Sequence, residues 1–134
     1  GTVRRAGEIA LLDDRMPLDE HLPLGKALDF WNAIDRKDNG RDLDRLALCA
    51  LHEVPVRFLS TGKSKRAAFS IANPWAAPIW LLDEPLNGLD SHFAAALVDD
   101  LEATRARGGI IVVASHQPIA LARLRVVDLA DYTR

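Results

Sequence analysis

The sequence IWLLDEP at residues 79–85 is an apolar run that ends in two carboxylates and a proline. Pro78 and Pro85 bound the run, and a short continuous apolar segment of this kind is typical of a buried parallel strand. Asp83 and Glu84 then lie at the carboxyl end of the strand, where ligands bind in open α/β sheets. One carboxylate there can hold a metal ion while its neighbour acts on a water molecule. The alternative is a core strand that runs into a polar loop.

Other segments on both sides of this run have strand or helix periodicity. Apolar strands are predicted at residues 8–13, 110–114 and 126–129, and helices at residues 24–34, 43–52, 63–73, 92–107 and 119–123. Because strands and helices alternate in the second half of the chain, we expect a parallel, doubly wound α/β sheet. The first two helices have no strand between them, which indicates a small helical insertion in the α/β domain.

The composition is that of an ordinary globular domain. A length of 134 residues allows one domain with a hydrophobic core. The net charge of -2 gives no support for nucleic-acid binding, which usually requires a basic surface. Cys49 is the only cysteine, which excludes an internal disulfide and fits a reducing compartment. No apolar stretch approaches the roughly 20 residues of a membrane span, so a role at a membrane would be that of a peripheral subunit. The sequence begins at Gly1 rather than methionine, and we expect it to be part of a longer chain.

Three polar clusters fall at predicted strand ends or helix starts: Ser60-Thr61-Gly62, Asp83-Glu84 and His116. The first lies before a helix, whose exposed N–H groups form a natural anion site. Each cluster has a structural alternative, because a serine-glycine loop can be only a helix cap and a histidine after a strand can be a surface residue. Asp90 can likewise be only an N-cap. The order and spacing of the clusters are more specific than any one of them.

In this order the clusters resemble the nucleotide-binding subunit of ABC transporters. LSTGK at residues 59–63 looks like the family's signature loop, usually written LSGGQ, and residues 79–85 resemble its Walker B strand. NGLD at residues 87–90 is similar to the D-loop, and His116 matches the switch histidine. The resemblance covers nearly the whole chain. It implies an α/β P-loop NTPase sheet with a small helical subdomain, in which the N-terminal strand and the phosphate loop are missing.

Within that family, the sequence most resembles the ATPase branch of the haem exporters used in cytochrome c maturation. The features that carry this resemblance are Phe30-Trp31, Pro55-Val56-Arg57, PIWLL at residues 78–82, and Gly108-Gly109 leading to HQP at residues 116–118. The resemblance implies a subunit at the cytoplasmic face of the bacterial inner membrane that couples ATP hydrolysis to transport. Its implied partners are an integral-membrane permease and a second ATPase subunit, identical or different, in a head-to-tail dimer. No nucleic-acid partner is expected.

The family's site residues carry over position by position. By this resemblance Asp83 would hold Mg²⁺ through water, Glu84 would polarise the attacking water, and His116 would contact the γ-phosphate of ATP. The residues expected to bind nucleotide are Ser60, Thr61, Gly62, Asp90 and Asp14. Of these, Ser60 and Gly62 would touch the γ-phosphate of ATP bound to the other subunit. A helix start at Ser60 suits this role, because phosphoryl transfer depends on positioning and charge neutralisation.

The sequence departs from the family pattern in four places. It contains no G-x-x-x-x-G-K-[ST] phosphate loop, which in the family precedes the segment that starts here. We therefore expect that loop upstream of Gly1, and expect this fragment alone to bind ATP poorly. Asp14 falls at the position of the Q-loop glutamine. In the signature, Lys63 replaces the glutamine and Thr61 replaces a small glycine or alanine. These changes affect the expected rate more than the fold.

The expected organisation is a partial nucleotide-binding domain over residues 1–134. Residues 18–73 would form the helical and signature subdomain, and residues 1–17 and 74–134 the RecA-like core. The alternative function is a non-hydrolysing ABC-type partner or scaffold that offers only its signature face to another ATPase. A glycine-rich phosphate loop encoded roughly 30–40 residues upstream of Gly1 would favour the ATP-hydrolysing subunit over the scaffold. ABC-type ATPases of DNA repair or translation fit less well, because they usually carry long insertions or tandem domains.

Overall fold

The computed structural model describes residues 2–4, 6–13, 15, 17–35, 40–72 and 77–132. The strands are β1 (Ile9–Leu12), β2 (Ile79–Asp83) and β3 (Ile110–Ala114). The α-helices are α1 (Leu24–Asp35), α2 (Gly40–Arg45), α3 (Thr61–Ala72) and α4 (Ser91–Ala106). Short 3₁₀ turns occupy Cys49–Leu51, Val56–Phe58 and Leu129–Tyr132. Among these residues, no helix is long and apolar enough to cross a membrane.

The three strands form one parallel sheet with β2 in the middle, as the apolar run at residues 79–85 predicts. Ile79 lies opposite Ile9 on one side and Ile110 on the other, and this register continues to the pairing of Asp83 with Ala114. Helix α4 connects β2 to the parallel neighbour β3, which is the usual crossover of an α/β sheet. The carboxyl ends of β2 and β3 therefore meet at one edge.

The two faces of the sheet differ in burial. On one face Leu12, Trp80 and Leu82 are buried in a core that they share with residues of α3 and α4. On the other face the side chains of Leu11, Ile110 and Val112 are 58%, 58% and 56% exposed. The described helices thus cover one face, whereas the doubly wound sheet that the sequence predicts has helices on both.

Helix α1 is joined to the segment after α2 by backbone hydrogen bonds. The N–H groups of Leu24 and Gly25 donate to the carbonyls of Val54 and His52, each over 2.9 Å. The ring of His52 lies so close to Gly25 that any added Cβ would overlap it. A larger residue at position 25 would therefore require the half-exposed His52 ring to move.

The continuous helix predicted at residues 43–52 is wrong, because the chain turns after Arg45. Ala47 has a φ of +51°, its N–H donates to Asp44 O over 3.0 Å, and the N–H of Leu48 donates to Leu43 O over 2.8 Å. This pair of bonds is a Schellman motif, which ends a helix through a left-handed residue. The sequence hides the motif because alanine, rather than glycine, occupies the left-handed position.

The predictions for residues 119–123 and 126–129 are also wrong. Residues 119–128 contain neither a helix nor a strand, and a single 3₁₀ turn begins at Leu129. Arg105 and Glu102 of α4 instead bind the backbone carbonyl and N–H of Ala122, over 2.6 and 2.9 Å. Apolar composition alone does not make a strand, because a strand requires a neighbour with which to pair. The other predicted strands and helices are confirmed to within a few residues, although the predicted end of α3, Asn73, lies outside the described residues.

Candidate functional site

The two carboxylates of the apolar run lie where the sequence places them, at the carboxyl end of β2. Asp83 is the last residue of the strand and its side chain is exposed. Glu84 extends the pairing with β3, since its N–H donates to the carbonyl of Ala114 over 2.8 Å. Pro85 follows and is fully buried. The strand therefore delivers both acids to one edge of the sheet and anchors the turn that comes after them.

Glu84 adopts an unusual backbone conformation, with a φ of +44°. A residue before proline normally adopts an extended conformation, so the left-handed region is strained here by about 1–3 kcal/mol. The turn is closed by a hydrogen bond from the N–H of Asn87 to Glu84 O over 3.1 Å. Strained backbone of this kind concentrates at functional sites, where the surrounding structure holds a side chain in a required position.

The Glu84 carboxylate meets His116 at the end of β3. Its Oε1 atom accepts hydrogen bonds from Nδ1 of His116 over 2.7 Å and from the His116 backbone N–H over 3.0 Å. Its Oε2 atom accepts a bond from the Ser115 hydroxyl over 3.3 Å. The structure thus brings together the two residues that the sequence predicts as catalytic.

This environment favours the ionised form of Glu84. The hydrogen bond from the His116 ring holds the pKa of the Glu84 carboxyl below its usual range. Desolvation opposes this effect, while the backbone N–H of His116, its charge and the Ser115 hydroxyl add to it. A carboxylate that remains ionised can accept a hydrogen bond from water and polarise it.

Ser60 and Thr61 lie at the start of α3, as predicted. The helix begins at Thr61, and Ser60 O accepts the N–H of Ser64 over 2.8 Å, so Ser60 occupies the N-cap position. Both side chains are exposed, and the first turn contains no acidic residue that would offset the partial positive charge of the helix start. This helix start therefore presents an uncompensated partial positive charge at the surface, which favours anions in general.

Gly62 lies in close contact with the turn that follows Glu84. A Cβ atom added to Gly62 would lie 2.3 Å from the carbonyl oxygen of Gly88, and one added to Gly88 would lie 2.9 Å from the Thr61 methyl group. Gly88 also has a φ of +74°, a conformation that favours glycine. Residues 59–63, named the signature segment after the loop that they resemble, therefore pack backbone against backbone with the turn of residues 86–90.

The remaining two predicted site residues have different outcomes. The Asp90 side chain accepts the N–H of Phe93 over 3.0 Å and caps α4. Asp90 is thus the N-cap that the sequence offers as its structural alternative. A role for Asp90 towards nucleotide stays a prediction. Asp14 lies outside the described residues.

The structure reveals further side chains around the turn that sequence reasoning missed. The amide of Gln117 donates to Asn87 Oδ1 over 2.9 Å, and the ammonium of Lys65 donates to the carbonyl of Glu84. Gln117 is adjacent to His116 in the sequence, but no spacing rule pairs it with Asn87. In the sequence, Lys65 stands out only because it lies at the start of a helix face whose other residues are apolar.

A protein-only metal cage is absent from the described part of the chain, since no three His, Cys, Asp or Glu side chains there come together. Asp83 alone nevertheless fits Mg²⁺. This ion keeps several waters and is usually held by one or two carboxylates together with substrate phosphates. The exposed carboxylate at the end of β2 has the chemistry of such a ligand.

Comparison with known proteins identifies close relatives, although no family model matches the chain. The chain is 52% identical over 132 residues to the cytochrome c biogenesis ATP-binding export protein CcmA of Novosphingobium aromaticivorans, with 98% of this chain and 68% of the relative covered. It is 46% identical over 127 residues to the protein of the same name from Sphingopyxis alaskensis, covering 92% of this chain and 66% of the relative. The chain thus spans about two thirds of the length of these curated relatives.

Two solved structures of ATP-binding proteins share this fold. An ATP-binding subunit of an ABC transporter is 22% identical, with a TM-score of 0.67 over 81% of this chain and 48% of that chain. The ATP-binding cassette MJ0796, described as a dimer in a post-hydrolysis state bound to ADP and Pi, is 20% identical. Its TM-score is 0.64 over 82% of this chain and 53% of that chain. These likenesses confirm the predicted fold.

Proposed function

This chain belongs to the family of cytochrome c biogenesis ATP-binding export proteins, a branch of the ABC ATPases, and we propose that the whole protein hydrolyses ATP to drive haem export. The contact between Glu84 and His116 beside Asp83 is the observation that carries the proposal. A carboxylate kept ionised by a histidine, next to a second, exposed carboxylate, has the composition of a Mg-nucleotide hydrolysis site.

Each of these three residues has a defined part in the proposed reaction. When Mg²⁺ is bound with ATP, it neutralises charge on the phosphates. Asp83 would hold it through water. Glu84 would accept a hydrogen bond from the attacking water and orient it towards the γ-phosphate. His116 is held by Glu84 through Nδ1, which directs its second ring nitrogen, Nε2, away from the carboxylate. In the imidazolium form, in which both ring nitrogens are donors, Nε2 would donate a hydrogen bond to the γ-phosphate.

The signature segment would act on the nucleotide of a second subunit. Ser60 and Thr61 are exposed at the start of α3, and Gly62 holds that start against the turn of residues 86–90. An N–H-rich helix start without an acidic residue suits a γ-phosphate offered by another chain. The proposed assembly is a head-to-tail dimer of this subunit or of two related subunits, and the dimeric state described for the cassette MJ0796 supports it.

The proposed membrane partner is an integral-membrane permease subunit at the cytoplasmic face of the inner membrane. Residues 18–73 would form the helical and signature subdomain that docks on it, while residues 1–17 and 74–134 would form the RecA-like core. Exposed apolar side chains in the helical segment support this surface: Leu22, Phe30, Ile34 and Phe58. The haem specificity itself would come from the permease, since an ATPase subunit does not need to contact the cargo.

A non-hydrolysing partner or scaffold is the alternative, because the described chain lacks a phosphate loop. Hydrolysis by the full-length protein separates the two functions. We expect Mg²⁺-dependent ATP hydrolysis by the full-length wild type and none by Glu84→Gln, which should still bind ATP because glutamine keeps the size of the side chain but not its charge. Hydrolysis at the wild-type rate in Glu84→Gln would refute the role of Glu84. A wild-type protein that binds the permease but never hydrolyses ATP would favour the scaffold.

A further inference from the structure

Lys65 is a buried charged residue for which the proposed mechanism has no use. It lies in the second turn of α3 and is only 7% exposed. Lysine is almost never this buried unless its ammonium group is paired, because desolvation of the charge is unfavourable. Its Nζ atom donates a hydrogen bond to the carbonyl oxygen of Glu84, 19 residues away in the chain. A buried ammonium group is therefore aimed at the backbone of the proposed water-activating residue.

The carbonyl that Lys65 holds belongs to the most strained part of the site. Glu84 has a φ of +44° and precedes the fully buried Pro85. Its carbonyl oxygen accepts two hydrogen bonds, one from the N–H of Asn87 within the turn and one from Lys65 across to α3. Only the bond from Lys65 is charge-assisted, which makes it the stronger kind. Rotation of this carbonyl about the Cα–C bond would change ψ of Glu84 and so disturb the turn that presents its carboxylate to His116.

We infer that Lys65 is a positioning residue for Glu84, an inference that rests on the proposed function of Glu84 in hydrolysis. The ammonium group holds the Glu84 carbonyl and thereby keeps the carboxylate within reach of His116. Its hydrogen bond is to the backbone carbonyl of Glu84, so it acts through Glu84. A second contact between the same two segments, Gly62 against Gly88, also ties α3 to this turn. Lys65 thus couples the helix that carries the signature segment to the geometry of its own subunit's carboxylate.

The substitution that tests this role is Lys65→Met in the full-length protein. Methionine keeps most of the apolar volume of the side chain but removes the donor, and the Asn87 N–H still satisfies the Glu84 carbonyl. We expect kcat for ATP hydrolysis to fall on the order of 10- to 100-fold, because small misplacements of catalytic groups have effects of this size. KM for ATP should stay within about twofold, since the nucleotide contacts are unchanged. Lys65→Arg, which retains a cationic donor, should recover most of the lost rate.

The matched control is Arg125→Met, which removes an exposed cation from the segment after β3. It should leave kcat and KM unchanged. Wild-type kcat in Lys65→Met would overturn the inference, and so would equal losses in Lys65→Met and Lys65→Arg, which would indicate a packing role only. A large rise in KM with unchanged kcat would also overturn it, because that result indicates direct contact with the nucleotide.

A structural readout separates this inference from the proposed function. Crystal structures of Lys65→Met and Lys65→Arg report the backbone of residue 84 and its bond to His116 whether or not the protein hydrolyses ATP. We expect the methionine variant to lose the left-handed φ or the contact with His116, and the arginine variant to keep both. A methionine variant with an unchanged Glu84 refutes the positioning role. An altered Glu84 in a protein that never hydrolyses ATP would refute only the proposed function.

Discussion

The Oε1 atom of Glu84 lies 2.7 Å from the Nδ1 atom of His116, although 32 residues separate them in the chain. The pairing of β2 with β3 brings them together, since Asp83 lies opposite Ala114 at the ends of these strands. The left-handed backbone of Glu84 then directs its carboxylate towards residues 115 and 116. The pair is therefore a product of strand register and of one strained residue acting together.

Replacement of His116 by alanine should raise the pKa of Glu84. The ring hydrogen bond is the largest cause of the lowered pKa, so its loss should return the carboxyl towards the ordinary value of about 4.3. A carbon-13 NMR titration of the Glu84 carboxyl in wild type and His116→Ala measures this shift. Identical titration curves would exclude the His116 ring as the cause.

The same pair should make the free energy of unfolding depend on pH. Because folding lowers the pKa of Glu84, the stabilisation it provides is present above the unfolded pKa of about 4.3 and is lost as pH falls through the folded value. We expect wild type to lose more stability than His116→Ala between neutral pH and pH values below about 4. Denaturant unfolding of both proteins across this range provides the measurement, and parallel losses in the two proteins would contradict the expectation.

Ser60 should act on the nucleotide of the other subunit, and mixed dimers can reveal this. Ser60→Arg and Glu84→Gln homodimers should each be inactive in the full-length protein. In a mixed dimer, one site combines an intact Glu84 with an intact Ser60 from the partner, so ATP hydrolysis should return. An inactive mixture of confirmed heterodimers, or a fully active Ser60→Arg homodimer, would show that Ser60 does not act in this way.

Substitution of Gly62 by alanine should disturb both the fold and the site. The new Cβ would lie 2.3 Å from the carbonyl oxygen of Gly88, so one backbone segment must move. We expect a loss of about 1–3 kcal/mol in the free energy of unfolding, as for other overpacked contacts, together with slower hydrolysis. Ser64→Ala in the same helix is the control for stability and should remain near wild type. Wild-type stability and rate in Gly62→Ala would contradict the close approach.

Loss of the Asp90 cap should destabilise α4 measurably. The Asp90 carboxylate accepts the Phe93 N–H, and replacement of such a cap by alanine typically lowers stability by about 1 kcal/mol. Asp99→Ala removes an exposed carboxylate from the interior of the same helix and should not destabilise the protein. Chemical denaturation compares the two variants, and an equal effect of both would mean that charge rather than capping is responsible.

Elements with a strong local signal were predictable from the sequence. The run at residues 79–85 predicts a central strand with two acids at its end, and the apolar spacing after Leu24 predicts α1. Failures occurred where the local signal and the tertiary environment differ. Ala47 ends α2 in a conformation that alanine rarely adopts, and the apolar residues from Val126 onwards have no neighbouring strand in the described chain.

The sequence by itself determined the order of strands and helices, the placement of Asp83 and Glu84 at a strand end, and the family to which these motifs point. These features are encoded within a few neighbouring residues, through side-chain periodicity, prolines and turn residues. Only the tertiary structure decided the left-handed turn at Glu84, its bond to His116 and the burial of Lys65 beneath it. These features depend on contacts between residues that lie 19–32 positions apart in the chain. Such contacts are set by how the strands pair and the helices pack, because local sequence preferences act only over a few residues.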